Sequence, residues 1–89
     1  MARVFIPAQL RELTGGERIV TVAGATLSDV LTNLDALHPG FKSRLLDDEG
    51  AALNPYIEIG VDDEIATLGL LTPVQPESEV HILPNVSGG

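Results

Sequence analysis

The apolar residues of this 89-residue chain recur with two different periods. Four stretches alternate between apolar and polar positions, and this alternation predicts β-strands. They run from Arg3 to Pro7, from Glu17 to Val22 (centred on Ile19 and Val22), from Tyr56 to Val61 and from Glu79 to Leu83. After Thr26 the apolar residues recur at helical spacing and predict one amphipathic helix of about three turns. The apolar positions of that helix are Leu27, Val30, Leu31, Leu34 and Leu37.

Turn and capping residues mark where these elements begin and end. Thr14-Gly15-Gly16 predicts the loop of a β-hairpin that joins the first two strands. Thr26 is suited to cap the helix, and Asp29 gives its first turn an acidic residue. His38-Pro39-Gly40 ends the helix, because a residue that precedes proline is disfavoured in helical conformation. Residues 41–46 are then predicted to form a short second helix.

The resulting element order, β-β-α-β-β, predicts an α+β domain of the β-grasp type. In that arrangement a mixed sheet has one main helix packed across one of its faces, and the first and last strands are central neighbours. Asp62-Asp63 is expected to turn the chain after the third strand, and residues 68–71 are too short and glycine-broken for a regular helix. We expect the β-grasp domain to span residues 1–84 and a flexible tail to follow over residues 85–89.

Composition and charge exclude several classes of partner. Thirteen acidic and five basic residues give a formal net charge of −8, which opposes binding to nucleic-acid phosphates and to anionic membrane surfaces. The same charge suits a partner protein with a basic face. There is no cysteine, which excludes disulfides and thiolate metal sites. Because no apolar stretch has membrane-spanning length and the start shows no signal-peptide pattern, we expect a cytoplasmic protein.

No group of residues has the sequence spacing of a catalytic or metal site. The two histidines, His38 and His81, lie in different elements, and His81 alternates with apolar neighbours, which predicts a position on the outer face of the sheet. The acidic runs 47–49 and 62–64 are expected to be solvated turns, since the first lacks the alternating oxygen ligands of a calcium loop. The sequence therefore predicts a protein that is not an enzyme and that binds no metal.

The most specific chemical feature of the sequence is its end, Gly88-Gly89. At an average glycine usage of about 7%, a terminal pair arises by chance in roughly 0.5% of chains. Two residues without Cβ form a thin tail that fits a narrow active site of another protein. We expect Gly89 to supply its carboxylate as the reacting group, with Gly88, Ser87 and Val86 as the tail that delivers it. The competing interpretation is a frayed terminus without function.

Apolar residues at positions expected on the outside of the fold predict a docking surface. One helix covers only one face of a sheet, so apolar residues on the other face are available to a partner. The residues that we assign to partner docking are Phe5, Leu68, Leu83 and Pro84. For the neighbouring Leu70 and Leu71, closing the open end of the core is at least as good an interpretation.

Four segments of the chain, taken in order, form a family pattern. They are residues 7–16 (PAQLRELTGG), 24–31 (GATLSDVL), 38–41 (HPGF) and 82–89 (ILPNVSGG). Each early segment is weak by itself, but their order and the terminal motif resemble the small sulfur-carrier family of the MoaD/ThiS type. Its members include the small subunit of molybdopterin synthase, the thiamine-pathway sulfur carrier and the carrier that feeds a dedicated cysteine synthase. The resemblance covers nearly the whole chain and implies a ubiquitin-like β-grasp fold.

This resemblance implies a function and a set of partners. An E1-like activating enzyme uses ATP to adenylate the carboxylate of Gly89, and sulfur then displaces AMP to give a thiocarboxylate. A sulfur-accepting synthase takes the sulfur from the tail. The resemblance implies a PLP-dependent cysteine synthase or the large subunit of molybdopterin synthase as that acceptor. The nucleophile, the base and any cofactor would belong to these partners, and the chain itself would bind no cofactor.

Three departures from the family pattern bear on the pathway. Residues 61–64 (VDDE) stand where relatives often have a Val-Asn-Gly-like turn, and residues 77–79 (ESE) replace an Asp-Gly-Asp-type turn. The Pro-Pro pair common in molybdopterin-type tails is Pro84-Asn85 here. The length and the ending favour a cysteine-type or molybdopterin-type carrier over the thiamine type. Two other functions are compatible with the sequence: a ubiquitin-like modifier joined to lysines through Gly89, and a plain interaction domain.

Overall fold

Five strands and two α-helices build the part of the chain that the computed structural model describes, residues 1–84. The strands are β1 (Ala2–Phe5), β2 (Ile19–Val22), β3 (Ile57–Val61), β4 (Glu64–Ile65) and β5 (Glu79–Pro84). The helices are α1 (Leu27–Leu37) and α2 (Phe41–Leu45), and short 3₁₀ helices cover Ala8–Thr14 and Gly69–Leu71. The predicted tail, residues 85–89, lies outside the described residues.

The strands form one mixed sheet in the order β2-β1-β5-β3-β4. β1 and β5 are parallel neighbours at its centre, and every other neighbouring pair is antiparallel. The predicted α+β architecture, with the first and last strands adjacent, is therefore confirmed. Parallel neighbours such as β1 and β5 cannot be joined by a tight hairpin, so the chain between them must pass over a face of the sheet. Helix α1 lies on that face.

The core lies between that face of the sheet and helix α1. Its fully buried members, each less than 2% exposed, are mostly aliphatic: Val4, Val22, Leu27, Val30, Leu31, Leu34, Phe41, Leu45, Ile59 and Val80. The predicted packing of one main helix across one face is confirmed. Leu37 corrects the prediction, because it is 60% exposed although it was placed in the apolar stripe. At about 100° per residue, Leu37 has rotated roughly 80° from Leu27 and has reached the edge of the stripe.

The ends of α1 follow the predicted capping residues. Thr26 Oγ1 accepts a hydrogen bond from the backbone N–H of Asp29 at 3.2 Å, and the Asp29 carboxylate accepts one from the N–H of Ala25 at 3.2 Å. The first bond satisfies an N–H group that the helix leaves free at its start, and the second ties Asp29 to the residue before the cap. Within residues 1–84 no helix, α1 included, has the length and apolar character needed to cross a membrane.

Strand β2 and the segment after β3 differ in detail from the prediction. Val20 and Val22 face the core, whereas Ile19 is 45% exposed, because residues three apart in a strand lie on opposite faces. The predicted hairpin of the first two strands is confirmed, and its loop contains the first 3₁₀ helix. Glu64–Ile65, expected only as the exit of a turn, forms the short edge strand β4.

Candidate functional site

The outer face of the sheet, opposite α1, has a row of neighbouring residues that crosses all five strands. The strand register sets the members of the row side by side: Ile19 on β2, Phe5 on β1, His81 on β5, Gly60 on β3 and Ile65 on β4. Directly paired residues share a face, so all five belong to the outer side. With strands about 4.8 Å apart, the row spans roughly 19 Å. A row of mostly apolar residues therefore extends across the face that the helix leaves open.

An aromatic stack forms the centre of this row. The rings of Phe5 and His81 lie 4.3 Å apart between centroids and are inclined by only 8°. His81 Nε2 is also 3.4 Å from Oε1 of Glu79, whose other oxygen accepts a hydrogen bond from Arg3 at 2.7 Å. The outer-face position that the sequence predicted for His81 is confirmed. These contacts hold the imidazole against β1 and fix its orientation on the surface.

A shallow depression lies beside the stack, toward the β4 edge of the sheet. Its lining residues are Gly60, Asp63, Glu64, Ile65, His81 and Leu83. Leu83 is 45% exposed and Ile65 is 53% exposed, so both apolar side chains are accessible to a partner. We call Phe5, Ile65, His81 and Leu83 the outer-face patch.

The structure brings together some of the four predicted docking residues and separates others. Phe5 and Leu83 lie in the outer-face patch. Leu68, 63% exposed, lines a second groove, which shares Glu64 and Ile65 with the first depression. Pro84 is the last residue of β5 and pairs with Ile57, but its side chain lies outside the described part of the structure. Leu68 therefore borders the outer-face patch without belonging to the row.

The two remaining loop leucines have different environments. Leu70 is half-buried and packs against the core, so its predicted alternative role, closing the open end of the core, is confirmed. Leu71 is 76% exposed and does not close the core. The core-closing interpretation is therefore correct for only one of the two residues.

The docking residues predicted from the sequence did not include Gly60 and Ile65, the members of the row on β3 and β4. The signal that identifies them is the two-residue turn Asp62-Asp63, in which both residues have positive φ angles, 51° and 71°. Two left-handed residues make the tight turn of a β-hairpin, and aspartate is among the residues that tolerate that conformation. A two-residue loop pairs Val61 with Glu64 and hence Gly60 with Ile65, which is the observed register.

Asp62 links this hairpin to the beginning of β5. Its carboxylate accepts hydrogen bonds from Ser78 Oγ at 2.5 Å and from the backbone N–H of Glu79 at 2.9 Å. These two donors, the Ser78 hydroxyl first, lower the pKa of Asp62 below its ordinary value. Asp62, Asp63 and Glu64 are all exposed, so the predicted solvated acidic turn is confirmed. The hydrogen bonds of Asp62 give this turn a structural role as well.

The predicted reacting group lies beyond the described residues. Gly89, Gly88, Ser87 and Val86 all belong to residues 85–89, and the described chain ends at Pro84. Strand β5 passes through Leu83 of the outer-face patch and ends at Pro84, the last residue before the predicted tail. Among residues 1–84, no three histidine, aspartate or glutamate side chains are grouped to hold a metal ion.

The sheet order, the single helix across one face and the open opposite face define a ubiquitin-like β-grasp protein. The model of the ThiS family matches residues 4–89, and the chain belongs to this family of small sulfur carriers. Its sequence is 38% identical over 89 residues to the sulfur carrier protein CysO of Mycobacterium tuberculosis, with 97% of this chain and 96% of the relative covered.

Solved structures of related proteins share the fold over the whole chain. A chain in the crystal structure of the BexX/CysO complex of Amycolatopsis orientalis superimposes with a TM-score of 0.92 at 35% identity, and both chains are fully covered. Crystalline CysO of M. tuberculosis gives 0.90 at 36% identity, with 97% and 100% coverage. SAMP1 of Haloferax volcanii gives 0.77 at 32% identity, with 99% and 98% coverage.

Proposed function

We propose that this chain is a sulfur carrier that bears sulfur as a thiocarboxylate on Gly89. The observation that supports this most strongly is the near full-length relation to a sulfur carrier protein, 38% identical over 97% of this chain. The family match also extends through the terminal Gly88-Gly89. In this function the partner proteins bind the folded domain, and the atoms that react belong to the C-terminal residue.

The proposed chemistry has two steps, both performed in the active site of an E1-like enzyme. A carboxylate oxygen of Gly89 attacks the α-phosphorus of ATP and pyrophosphate leaves, which gives an acyl adenylate. Sulfur at the sulfide level, as HS⁻, then attacks the acyl carbon, AMP leaves, and loss of a proton gives the thiocarboxylate. Carboxylates are poor electrophiles, so adenylation supplies the leaving group that the reaction needs. Glycine at the reacting position leaves that carbon unobstructed on the side-chain side.

We further propose that the sulfur is used to make cysteine. The relatives with 38% identity are named CysO, which supports this pathway over the synthesis of molybdopterin. The acceptor would then be a PLP-dependent cysteine synthase that takes sulfur from the tail. The chain acts as a co-substrate, and the catalytic groups belong to its partners. Because the first step consumes ATP, we place the reaction in the cytoplasm.

The test is an intact-mass measurement of the full chain after incubation with the adenylating enzyme of the same organism, ATP and a sulfur donor. We expect the mass gain that corresponds to replacement of one oxygen by sulfur. A chain that lacks Gly89 should show no gain, and the variant Leu37→Ala, altered on the opposite side of the domain, should gain sulfur like the wild type. If the truncated chain still gains sulfur, the terminus is not the carrier.

A second function, that of a ubiquitin-like modifier, is not favoured by the comparisons but can be tested alongside the first. The structure also matches SAMP1 of Methanosarcina acetivorans, described as a small archaeal modifier protein, with a TM-score of 0.81 at 30% identity. Conjugation to lysines would produce heavier, isopeptide-linked species on a denaturing blot of cell extract. We expect only the free chain there, because the relatives with higher identity are sulfur carriers.

We also propose that the outer-face patch docks on the activating enzyme. Leu83→Ala removes an exposed apolar side chain from the patch and should weaken binding by about tenfold, as expected for an interface residue of about 1.4 kcal/mol. Leu37→Ala is the matched control, because Leu37 is 60% exposed but lies at the end of α1. Isothermal titration calorimetry with the activating enzyme measures both. Equal affinities for the two variants would show that the patch is not the contact.

A further inference from the structure

The outer-face row has one position without a side chain, Gly60 in the middle of β3. His81 on β5 and Ile65 on β4 are its two lateral neighbours. Their strands lie about 10 Å apart, twice the strand spacing. Gly60, which is itself buried, forms the floor of the depression between them, and this depression is the gap that a side chain at position 60 would fill. The rings of His81 and Phe5 stack on each other, which draws the imidazole toward β1 and away from Gly60. We call this gap the Gly60 notch.

The fold gives no reason for glycine at this position. The φ angle of Gly60 is not positive, so an L-residue would fit the backbone without strain. Beyond its chain neighbours, an added Cβ would meet only the Glu64 carbonyl oxygen among the described residues, at 3.6 Å, an ordinary van der Waals distance. Glycine also weakens a strand interior, and in that setting it often marks the close approach of another molecule. We therefore expect the stability that glycine costs the strand to be offset by a functional role at this position.

The surroundings of the notch indicate the chemistry of what enters it. Its walls include Ile65 and Leu83, which suit an apolar side chain. Asp63 lies on its rim. Glu64 pairs directly with the buried Val61, so its side chain lies on the core face of the sheet. Arg3, a basic residue on the outer face of β1, is already paired with Glu79. An apolar group next to a positive charge is complementary to this arrangement, and the net charge of −8 adds to the attraction.

We propose that the Gly60 notch receives an apolar side chain of the activating enzyme, with an adjacent lysine or arginine of that enzyme facing Asp63. This inference rests on the proposed sulfur-carrier function and on docking through the outer-face patch. It adds the anchor point: the partner's side chain fills the place that a residue larger than glycine would occupy. The notch thereby selects partners that present this pair of groups.

A graded filling of the notch tests the anchor. Gly60→Ala adds one methyl group and Gly60→Val fills the gap, and β-branched valine suits a strand, so both variants should keep the wild-type fold. We expect Gly60→Ala to weaken binding to the activating enzyme about threefold and Gly60→Val by more than about tenfold. Thr21→Val, on the outer face of β2 and outside the notch, is the control and should bind like the wild type.

The binding measurement uses the full chain and, in parallel, a chain ending at residue 87, so that a loss in both locates the effect in the folded domain. Thermal unfolding of each variant checks the fold. Wild-type affinity of Gly60→Val together with weakened Leu83→Ala overturns the notch and leaves the docking proposal intact. A wild-type chain that neither binds nor acquires sulfur instead overturns the proposed function itself.

The acidic rim has its own charge-matched test. Asp63→Asn removes one charge at the notch, and Asp48→Asn removes one from the loop before β3. We expect the rim variant to associate several-fold more slowly at low salt and to lose much of the salt dependence of the rate. Equal slowing by the two variants would mean that only net charge matters, which contradicts a basic group of the partner at the rim.

Discussion

At the scale of single residues, Asp62 shows how two departures from the family pattern are connected. The turn over residues 61–64 and the segment 77–79 each differ from the pattern typical of relatives. In the folded chain they touch, because the Asp62 carboxylate binds Ser78 Oγ and the N–H of Glu79. Ser78 is only 2% exposed and also accepts a hydrogen bond from the N–H of Gln75. The first segment therefore supplies the acceptor, the Asp62 carboxylate, and the second supplies its donors.

This contact predicts a pH-dependent effect of Asp62→Asn. Because hydrogen bonds lower the pKa of Asp62 in the folded state, its charged form stabilises the fold above the ordinary aspartate pKa, and that contribution is lost as the pH falls through the folded-state pKa. Asparagine has one acceptor oxygen for two donors, so Asp62→Asn should melt at a lower temperature near neutral pH. The difference from the wild type should shrink in acid.

Asp63→Asn is the control for this prediction. Asp63 lies in the same turn with a positive φ angle, and asparagine tolerates that conformation as aspartate does. Melting curves recorded by circular dichroism from neutral to acidic pH compare the two variants. An Asp62→Asn difference that stays constant down to the lowest pH would show that the carboxylate charge contributes nothing.

At the scale of elements, helix α1 depends on its N-terminal cap. Thr26 Oγ1 accepts a hydrogen bond from the N–H of Asp29. The backbone on either side of Thr26 pairs with the segment before β5. The N–H of Leu27 donates to the Thr72 carbonyl oxygen, and the N–H of Val74 donates to that of Ala25. The start of the helix is thus held by its own cap and by the chain that leads into the central strand. The cap consequently positions the element that buries the core.

Replacing the cap residue by alanine should destabilise the fold, whereas the same change inside the helix should not. Thr26→Ala removes the acceptor for the N–H of Asp29 and should lower the free energy of unfolding by about 1 kcal/mol. Thr32→Ala, at an exposed position within α1, should be neutral or raise it by up to about 0.6 kcal/mol, since alanine is the better helix former. Urea titrations of both variants provide the comparison, and equal losses would contradict a role for the cap.

The helix and the longer strands were predictable from the sequence, because burying one side of an element makes its apolar residues recur with the period of that element. Helix α1, the first hairpin and β3 each have a clear pattern, and Thr26 marks a boundary that the structure confirms. Ile19 and Leu37 were misplaced because their exposure depends on strand phase and on accumulated helical rotation. The edge strand β4 was missed because two residues are too few to show a period.

At the scale of the whole molecule, the two faces of the sheet differ in what packs against them. The helices and the aliphatic core occupy one face, and the stacked Phe5–His81 pair with its apolar neighbours occupies the other. Strand β5 belongs to both, since Val80 and Ile82 are buried while His81 and Leu83 face outward. The same strand leads to the terminal tail. A partner bound to the outer face would therefore contact the domain close to Pro84, the residue before the proposed reacting tail.

The candidate site was predictable only in part. Gly88-Gly89, Phe5 and Leu83 have signals in the sequence, because a terminal motif and strand alternation can both be read without coordinates. The Gly60 notch could not be identified in this way, since it depends on which strands flank β3 and on the direction in which His81 stacks. Lateral neighbours in a sheet come from distant parts of the chain, and no local pattern records them.

The most direct test of the sulfur-carrier assignment is to locate the sulfur on the chain by mass spectrometry of its tryptic fragments after reaction with the activating enzyme. The last basic residue is Arg44, so complete digestion leaves residues 45–89 as one C-terminal fragment. Cysteine is absent from the sequence, which removes persulfides as an alternative source of added sulfur. We predict the replacement of one oxygen by sulfur in that fragment, localised to Gly89 by fragmentation. Sulfur elsewhere in the chain, or an unchanged C-terminal fragment, would contradict the assignment.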